Sequence, residues 1–241
     1  MNLQIFIISW DGQHDNACSI AAALLNVGAN VQIVFSDPNP LLDLNTTVAS
    51  NRRPNHLFFG DKFQACLDAF DADQMLVIHA DCQCLDWPKL VFAAEAALKS
   101  QPKIWMWAPL IQYTGFGIER TRILDLRPSN LIAVAHTDTI VFAIARPVVE
   151  RLRGATLVDN VFGWGIGWLA SAFTYLNQHL VVVDPEISVS HPKSRAYPTQ
   201  AAEAQREQYL KQLTISEALQ CRLLSSHMAW QGSRSASSKK S

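Results

Sequence analysis

Three short runs constrain this chain more than anything else in it: "LQIFIIS" (3–9), "VQIVFSD" (31–37) and "QMLVIHAD" (74–81). Each is almost continuously apolar, and each ends in a polar group. A strand with one wet face alternates apolar and polar residues. A continuous run needs cover on both faces, which parallel strands receive from their crossover helices. Helical stretches do fall between them: "ACSIAAALLNVG" with its glycine stop at Gly28, then "DKFQACLDAFDA", "WPKLVFAAEAALKSQP" with proline at its entry, and "LASAFTYLNQH".

The remaining segments fill in the pattern. "LFFG" (57–60) is expected as a short strand, and "PNPLLDLNTTVASNRRP" (38–54) as a proline- and asparagine-rich connection. "KIWMWAPLIQ" is another apolar strand, "NLIAVAHTDTIVFAIARPVVERL" one or two strands feeding a helix, and "LVVVDPEISVSHP" a last strand pair. Residues 199–230 form a long helical region, and "QGSRSASSKKS" (231–241) is a small-residue, polar stretch of the kind that stays disordered. There is no internal repeat. The expected class is α/β with a mainly parallel central sheet. One domain spans residues 1–200, a helical extension 201–230, and a tail 231–241.

Composition narrows the function. Hydrophobic residues make up 49% of 241 and charged residues 17%, enough apolar mass for a sizeable core. A net charge of −1 argues against nucleic acid as a partner. Five cysteines, odd in number and without a CxxC pair, imply free thiols and no zinc site. The N-terminal "MNLQIFIISW" has no basic flank and no cleavage site, so it is read as a first strand rather than a signal peptide. No run approaches the roughly 20 apolar residues that span a bilayer. A cytoplasmic location is expected, with room for peripheral attachment to the inner face of a membrane.

Open parallel sheets bind ligands at the carboxyl ends of their strands. There the sequence places Ser9 and Asp11 after the first run, Asp37 after the second, and His79 and Asp81 after the third. A strand-end carboxylate with a second ligand two residues away can present both to a divalent ion. Oxygen donors suit Mg2+ or Mn2+, and an imidazole moves the balance toward Mn2+. The plainer reading is a polar strand end that caps the next helix. "DNVFGWGIGW" (159–168) interleaves three glycines with two tryptophans, a poor helix or strand interior. Its glycines admit close approach of backbone to a ligand, while Trp164 can pack on a sugar or base; the plainer reading is a tight turn anchored to the core. "SVSHPKSRAYP" (188–198) carries His191, Lys193, Arg195 and Tyr197, donors that suit a metal-bound diphosphate or, more plainly, a solvated loop.

Taken in order from about Leu3 to Tyr197, these pieces resemble the nucleotide-sugar glycosyltransferases of the GT-A fold, family 2 especially. The resemblance implies a three-layer sandwich built on the mainly parallel sheet. It also implies a base contact at Asp37, a metal held by Asp81 with His79 and His191, and diphosphate contacts at Lys193 and Arg195. Ser9, Asp11, Asp61 and Trp164 join them as nucleotide-sugar contacts. Two positions depart from the family pattern. "HAD" stands where the family has Asp-x-Asp, so the first aspartate is His79. In "GWGIGW" the carboxylate that would deprotonate an acceptor hydroxyl is Gly167, which leaves Asp159 as the nearest candidate base.

The implied activity is transfer of a sugar from a UDP- or GDP-sugar to the hydroxyl of a saccharide or lipid-linked acceptor, with Mn2+ or Mg2+ and, by the resemblance, inversion. Two other readings stand beside it. One is a GT-A-like protein that binds nucleotide sugars without transferring them. The other is a nucleotidyltransferase, although "SWDGQHDNA" lacks the basic loop such enzymes place after their first strand.

Overall fold

The structure, a computed structural model, describes residues 2–100, 103–192 and 198–238. Its strands are β1 (Leu3–Ser9), β2 (Asn30–Phe35), β3 (Ala49–Arg52), β4 (Gln74–His79), β5 (Gln83–Cys84), β6 (Ile104–Gln112), β7 (Arg122–Leu126), β8 (Leu131–Val134), β9 (Val141–Ala145) and β10 (Leu180–Ser190). The helices are α1 (His14–Leu25), α2 (Phe58–Ala69), α3 (Trp87–Ser100), α4 (Ile118–Thr121), α5 (Arg146–Arg153), α6 (Ile166–Leu176), α7 (Thr199–Leu210) and α8 (Ile215–Ser238).

All ten strands share one sheet, ordered β3-β2-β1-β4-β9-β6-β10-β8-β7, with β5 paired to β10 off that path. β1, β2, β3, β4, β6, β7 and β10 run one way; only β5, β8 and β9 run against them. The sheet is therefore mainly parallel, as the apolar runs require. Side chains alternate across it. Ile5, Ile7 and Ile33 face α1 and α3, while Phe6, Ile8 and Val34 face α2, α5 and α6. Two apolar cores thus sandwich one sheet, giving three layers.

Three segments differ from the sequence reading. "LFFG" is not a strand: a 3-10 turn over Asn55–Leu57 leads into α2 at Phe58, and Phe59 stacks on Phe63 one helical turn later. The 38–54 connection contains β3, whose Arg52 donates to the carbonyls of Leu42, Asp37 and Asn39 and so straps the loop that feeds it. "LVVVDPEISVSHP" is one strand, β10, with a register shift between Asp184 and Ser188 around Pro185. The C-terminal helices pack against the sheet layers. Tyr209 of α7 is buried with Ile166 and Leu169, and Leu224 and Met228 of α8 pack on Ala135. α8 runs through Ser238.

All five cysteines are free thiols. Among the described residues no helix is long and apolar enough to cross a membrane.

Candidate metal and donor site

The carboxyl ends of β1, β2, β3 and β4 lie side by side, so the polar residues that follow them share one edge of the sheet. His79 closes β4, and the chain turns at once, with the Cys82 N–H donating to the His79 carbonyl at 3.2 Å. Asn16, in the first turn of α1, clamps that turn by donating to the carbonyls of Ala80 and Cys82. The two-residue strand β5 then pairs antiparallel with the end of β10, Gln83 opposite Ser190. That pairing delivers His191, the next residue, to Asp81: Nε2 lies 3.2 Å from Oδ2. One ligand atom each from His79, Asp81 and His191 falls within 4.8 Å of the others.

The electrostatics of the trio suit a cation. Burial is the main cause that pushes the His79 imidazole down to about 4, so it is neutral with a lone pair to give. Trp10 meets its ring edge-on at 6.0 Å and Phe59 packs at 4.8 Å. Its Nε2 is buried with no hydrogen-bond partner among the described residues. Buried polar atoms are rarely left orphaned, and a ligand is a direct explanation. His191 moves the other way, its affinity for a proton raised chiefly by its bond to Asp81 and further by the charge of Asp138. A divalent ion would compete for the same lone pair. Two imidazoles and a carboxylate form a donor set that fits a divalent metal ion.

Next to the trio is a polar chain. Ser9, fully buried at the end of β1, bonds His14 Nδ1 at 2.8 Å, and His14 Nε2 bonds Asp37 Oδ2 at 2.9 Å. A carboxylate only accepts, so Nε2 carries the proton. Burial raises the proton affinity of Asp37, but the Asn39 N–H, His14 and Arg52 outweigh it and hold the carboxyl below its ordinary value. Asp61 is fully engaged: Arg53 binds it in a bidentate pair at 2.8 and 2.8 Å. Asp11 is exposed in the turn after β1.

The sequence reading missed Lys62. It is buried, donates only to Ser36 Oγ at 2.9 Å among the bonds described, and burial lowers it to about 8. Its charge reaches His79. A buried ammonium whose neighbouring carboxylate already serves an arginine has spare charge for an anion. The signal in the sequence was a lysine on the apolar face of "DKFQACL", where lysine is almost never fully buried without a partner.

The "GWGIGW" segment is a turn, as expected, and then a helix start. Gly163 and Gly165 take φ of 72° and 101°, and α6 begins at Ile166, so Gly167 and Trp168 lie in its first turn. The turn is tied to α2 by the Gly60 N–H on the Val161 carbonyl at 2.7 Å, and Asn160 Nδ2 donates to the Trp164 carbonyl at 2.8 Å. Trp164 itself is half-buried. Gly167 has no room for a side chain: a Cβ there would stand 2.8 Å from Thr139 Cγ2 and 2.9 Å from His136 Cε1. His136 stacks on Trp168 at 4.3 Å and bonds Ser171 Oγ through Nδ1 at 3.2 Å. The space beside Gly167 is thus closed by packing.

Asp159 is exposed and lines a cleft with Thr156, Gln208 and Lys211; none of the metal trio lines it. Asp138, which the sequence reading did not single out, lies nearer the trio. It adjoins Thr139, accepts from Thr114 Oγ1 at 2.8 Å, and its charge acts on both His191 and Cys82. Lys193 and Arg195 lie outside the described residues.

No protein-family model and no curated protein matches the sequence. Solved structures do match. GalNAc-T7, with UDP, GalNAc and Mn2+, aligns over 81% of this chain and 45% of its own at 12% identity and a TM-score of 0.57. The glucosyl-3-phosphoglycerate synthase of Mycobacterium tuberculosis, with Mn2+, UDP-glucose and phosphoglyceric acid, aligns over 90% and 79% at 13% and 0.55. A Pyrobaculum calidifontis mannosyltransferase, with GDP-Man and Mn2+, aligns over 98% and 75% at 12% and 0.50. The chain spans less than half the length of the first of these and about three-quarters or more of the other two. Nucleotidyltransferases of related fold also appear among the similar structures. Identities this low speak for architecture alone, and on that point they agree: the chain has the GT-A-type fold of nucleotide-sugar transferases.

Proposed function

We propose that this protein is a metal-dependent glycosyltransferase that moves a sugar from a UDP- or GDP-sugar to an acceptor hydroxyl. The observation that carries the reading is the His79–Asp81–His191 trio, two imidazoles and a carboxylate converging at the strand ends. Bound there, a divalent ion supplies positive charge for the departing nucleoside diphosphate. Lys62, buried beside Ser36, adds a second positive group on the phosphate side. Asp37, held by His14 and the Asn39 N–H, offers an acceptor to the base. Ser9 positions His14 and so acts through it. Lys193 and Arg195, which follow His191 in sequence, are further candidates for the diphosphate.

Deprotonation of the acceptor needs a base, and the α6 position that the fold would use is closed by His136 and Thr139. Asp138 is a better candidate than Asp159, because its charge is felt at His191 whereas Asp159 faces the foot of α7. The closed position at Gly167 also favours a second reading, a protein that binds the donor without transferring it.

Incubation with UDP- and GDP-sugars and Mn2+, followed by chromatography of the nucleotide products, separates the readings. Release of UDP or GDP, reduced at least about a hundredfold in Asp138→Asn but not in Asp159→Asn, supports a transferase with that base. Donor binding with no release supports the binder. Pyrophosphate formation from a nucleoside triphosphate and a sugar phosphate supports a nucleotidyltransferase and sinks the proposal.

A further inference from the structure

Asp81 supplies the one carboxylate of the trio, and a side chain outside the trio controls its backbone. Its chain neighbours Ala80 and Cys82 are fully buried, while Asp81 itself is half-buried. The Ala80 N–H donates to the Ile8 carbonyl at 2.9 Å, which ties the start of the turn to β1. Three successive peptide units then follow, and each is held. The carbonyl of Ala80 accepts from Asn16 Nδ2, the Cys82 N–H donates to the His79 carbonyl at 3.2 Å, and the carbonyl of Cys82 accepts from the same Asn16 nitrogen at 3.2 Å. A primary amide nitrogen carries two hydrogens, so these bonds use both. Peptide units are planar, and holding the units on either side of Asp81 fixes its two soft dihedrals. The direction in which its carboxylate leaves the chain is fixed with them.

Asn16 is itself anchored. His14, two residues earlier in α1, bonds Ser9 Oγ at 2.8 Å and Asp37 Oδ2 at 2.9 Å. The Ala17 N–H donates to the Gln13 carbonyl at 2.9 Å, and Ala17, Ile20 and Ala21 are buried under the sheet. The first turn of α1 therefore grips the β1 and β2 ends with one side chain and the turn after β4 with another. We infer that Asn16 is a positioning residue of the metal site, which sets through residues 80–82 the angle at which Asp81 meets the ion. The inference rests on the metal reading of His79, Asp81 and His191. Loss of such an outer partner lowers metal affinity by about ten- to a hundredfold. The rival role for Asn16 is to satisfy two backbone carbonyls and nothing more; it would cost stability and leave metal affinity unchanged.

Calorimetric titration of the full chain with Mn2+, without nucleotide, separates the two roles. Asn16→Leu is similar in size and has no donor, and Asn16→Ala removes the donors where leucine fits badly. Both should bind Mn2+ at least about tenfold more weakly than wild type, and Asp81→Ala should not bind it at this site. Circular dichroism checks that each variant is folded. With no metal present, amide exchange of the peptide spanning residues 79–84 should be faster in the Asn16 variants than in wild type. Wild-type Mn2+ affinity in a folded Asn16 variant, with binding lost in Asp81→Ala, overturns the inference and leaves the metal site standing. Weaker binding with unchanged exchange over 79–84 also overturns it, because Asn16 would then not act through the turn. A wild-type chain that binds no Mn2+ overturns the metal reading and the inference with it.

Discussion

Replacing Lys62 with methionine separates what this residue costs the fold from what it gives the site. Methionine fills a similar shape without charge. Burial lowers the Lys62 ammonium from its ordinary 10.5 to about 8. At about 1.4 kcal/mol per pH unit, holding the cation costs the folded chain about 3 kcal/mol at neutral pH. Lys62→Met removes that cost and forfeits the bond to Ser36, worth about 1 kcal/mol, so the variant should be more stable by about 2 kcal/mol. The pH dependence follows by linkage. The unfolded chain keeps the lysine proton up to 10.5 and the folded chain loses it near 8, so between these values the unfolded state binds more protons and wild type gains stability as pH rises. Below pH 8 the penalty is present in full. Urea melts of both proteins from pH 7 to pH 10 should therefore show the variant's advantage largest at neutral pH and fading toward pH 10. Taking the difference cancels the buried tyrosines and thiols that titrate in the same range. A variant less stable than wild type at pH 7, or a difference that does not change with pH, refutes the reasoning. The same variant should lose affinity for UDP or GDP, the trade between stability and function expected of a buried unpaired charge.

Further predictions concern positions where the structure leaves little freedom. Gly60→Ala would put a Cβ 2.0 Å from the Asn160 carbonyl oxygen; the turn that carries Trp164 must shift, and thermal melting should show a loss of about 2 kcal/mol or more. Gly167→Asp restores a carboxylate in name but drives a Cβ into Thr139 and His136; it should destabilise by about 1–3 kcal/mol without raising donor turnover in the nucleotide-release assay. Glu217→Gln leaves Arg151 without its charge partner and should cost about 2 kcal/mol in a urea melt. Burial raises the proton affinity of Glu217, but Arg151 and Thr214 more than reverse it. Its contribution is thus present above the ordinary carboxyl range and lost as pH falls through the lowered folded value, so acid melts of the variant should lack that part of the slope.

The sheet was legible because its evidence is local. Short apolar runs rich in β-branched residues at 3–9, 31–37 and 74–81 read as strands covered on both faces, and they became β1, β2 and β4. The pairing of His79 with Asp81 was equally local. What brought His191 to them was not: it depends on β5, two residues long, pairing with a strand a hundred residues later, and so short a strand leaves no periodicity to read. Lys62, whose place on an apolar helix face was a faint signal, and Asp138 were overlooked for a related reason. A charged residue announces itself in sequence as surface, and only the packed layers reveal that Lys62 is buried and that Asp138 faces the strand-end cluster. The turn at Gly163 and Gly165 was readable from glycine spacing. The closing of the space at Gly167 was not, because the groups that close it come from the loop between β8 and β9.

The central claim is a metal-dependent nucleotide site at His79, Asp81 and His191. Calorimetric titration with UDP and GDP, with and without Mn2+, tests it most directly, on wild type and on Asp81→Ala. The account predicts that one of the two nucleotides binds, that binding requires the metal, and that the variant loses both. Binding of neither nucleotide, or binding that persists without metal and in Asp81→Ala, would contradict it and leave the strand-end residues as polar caps on a shared fold.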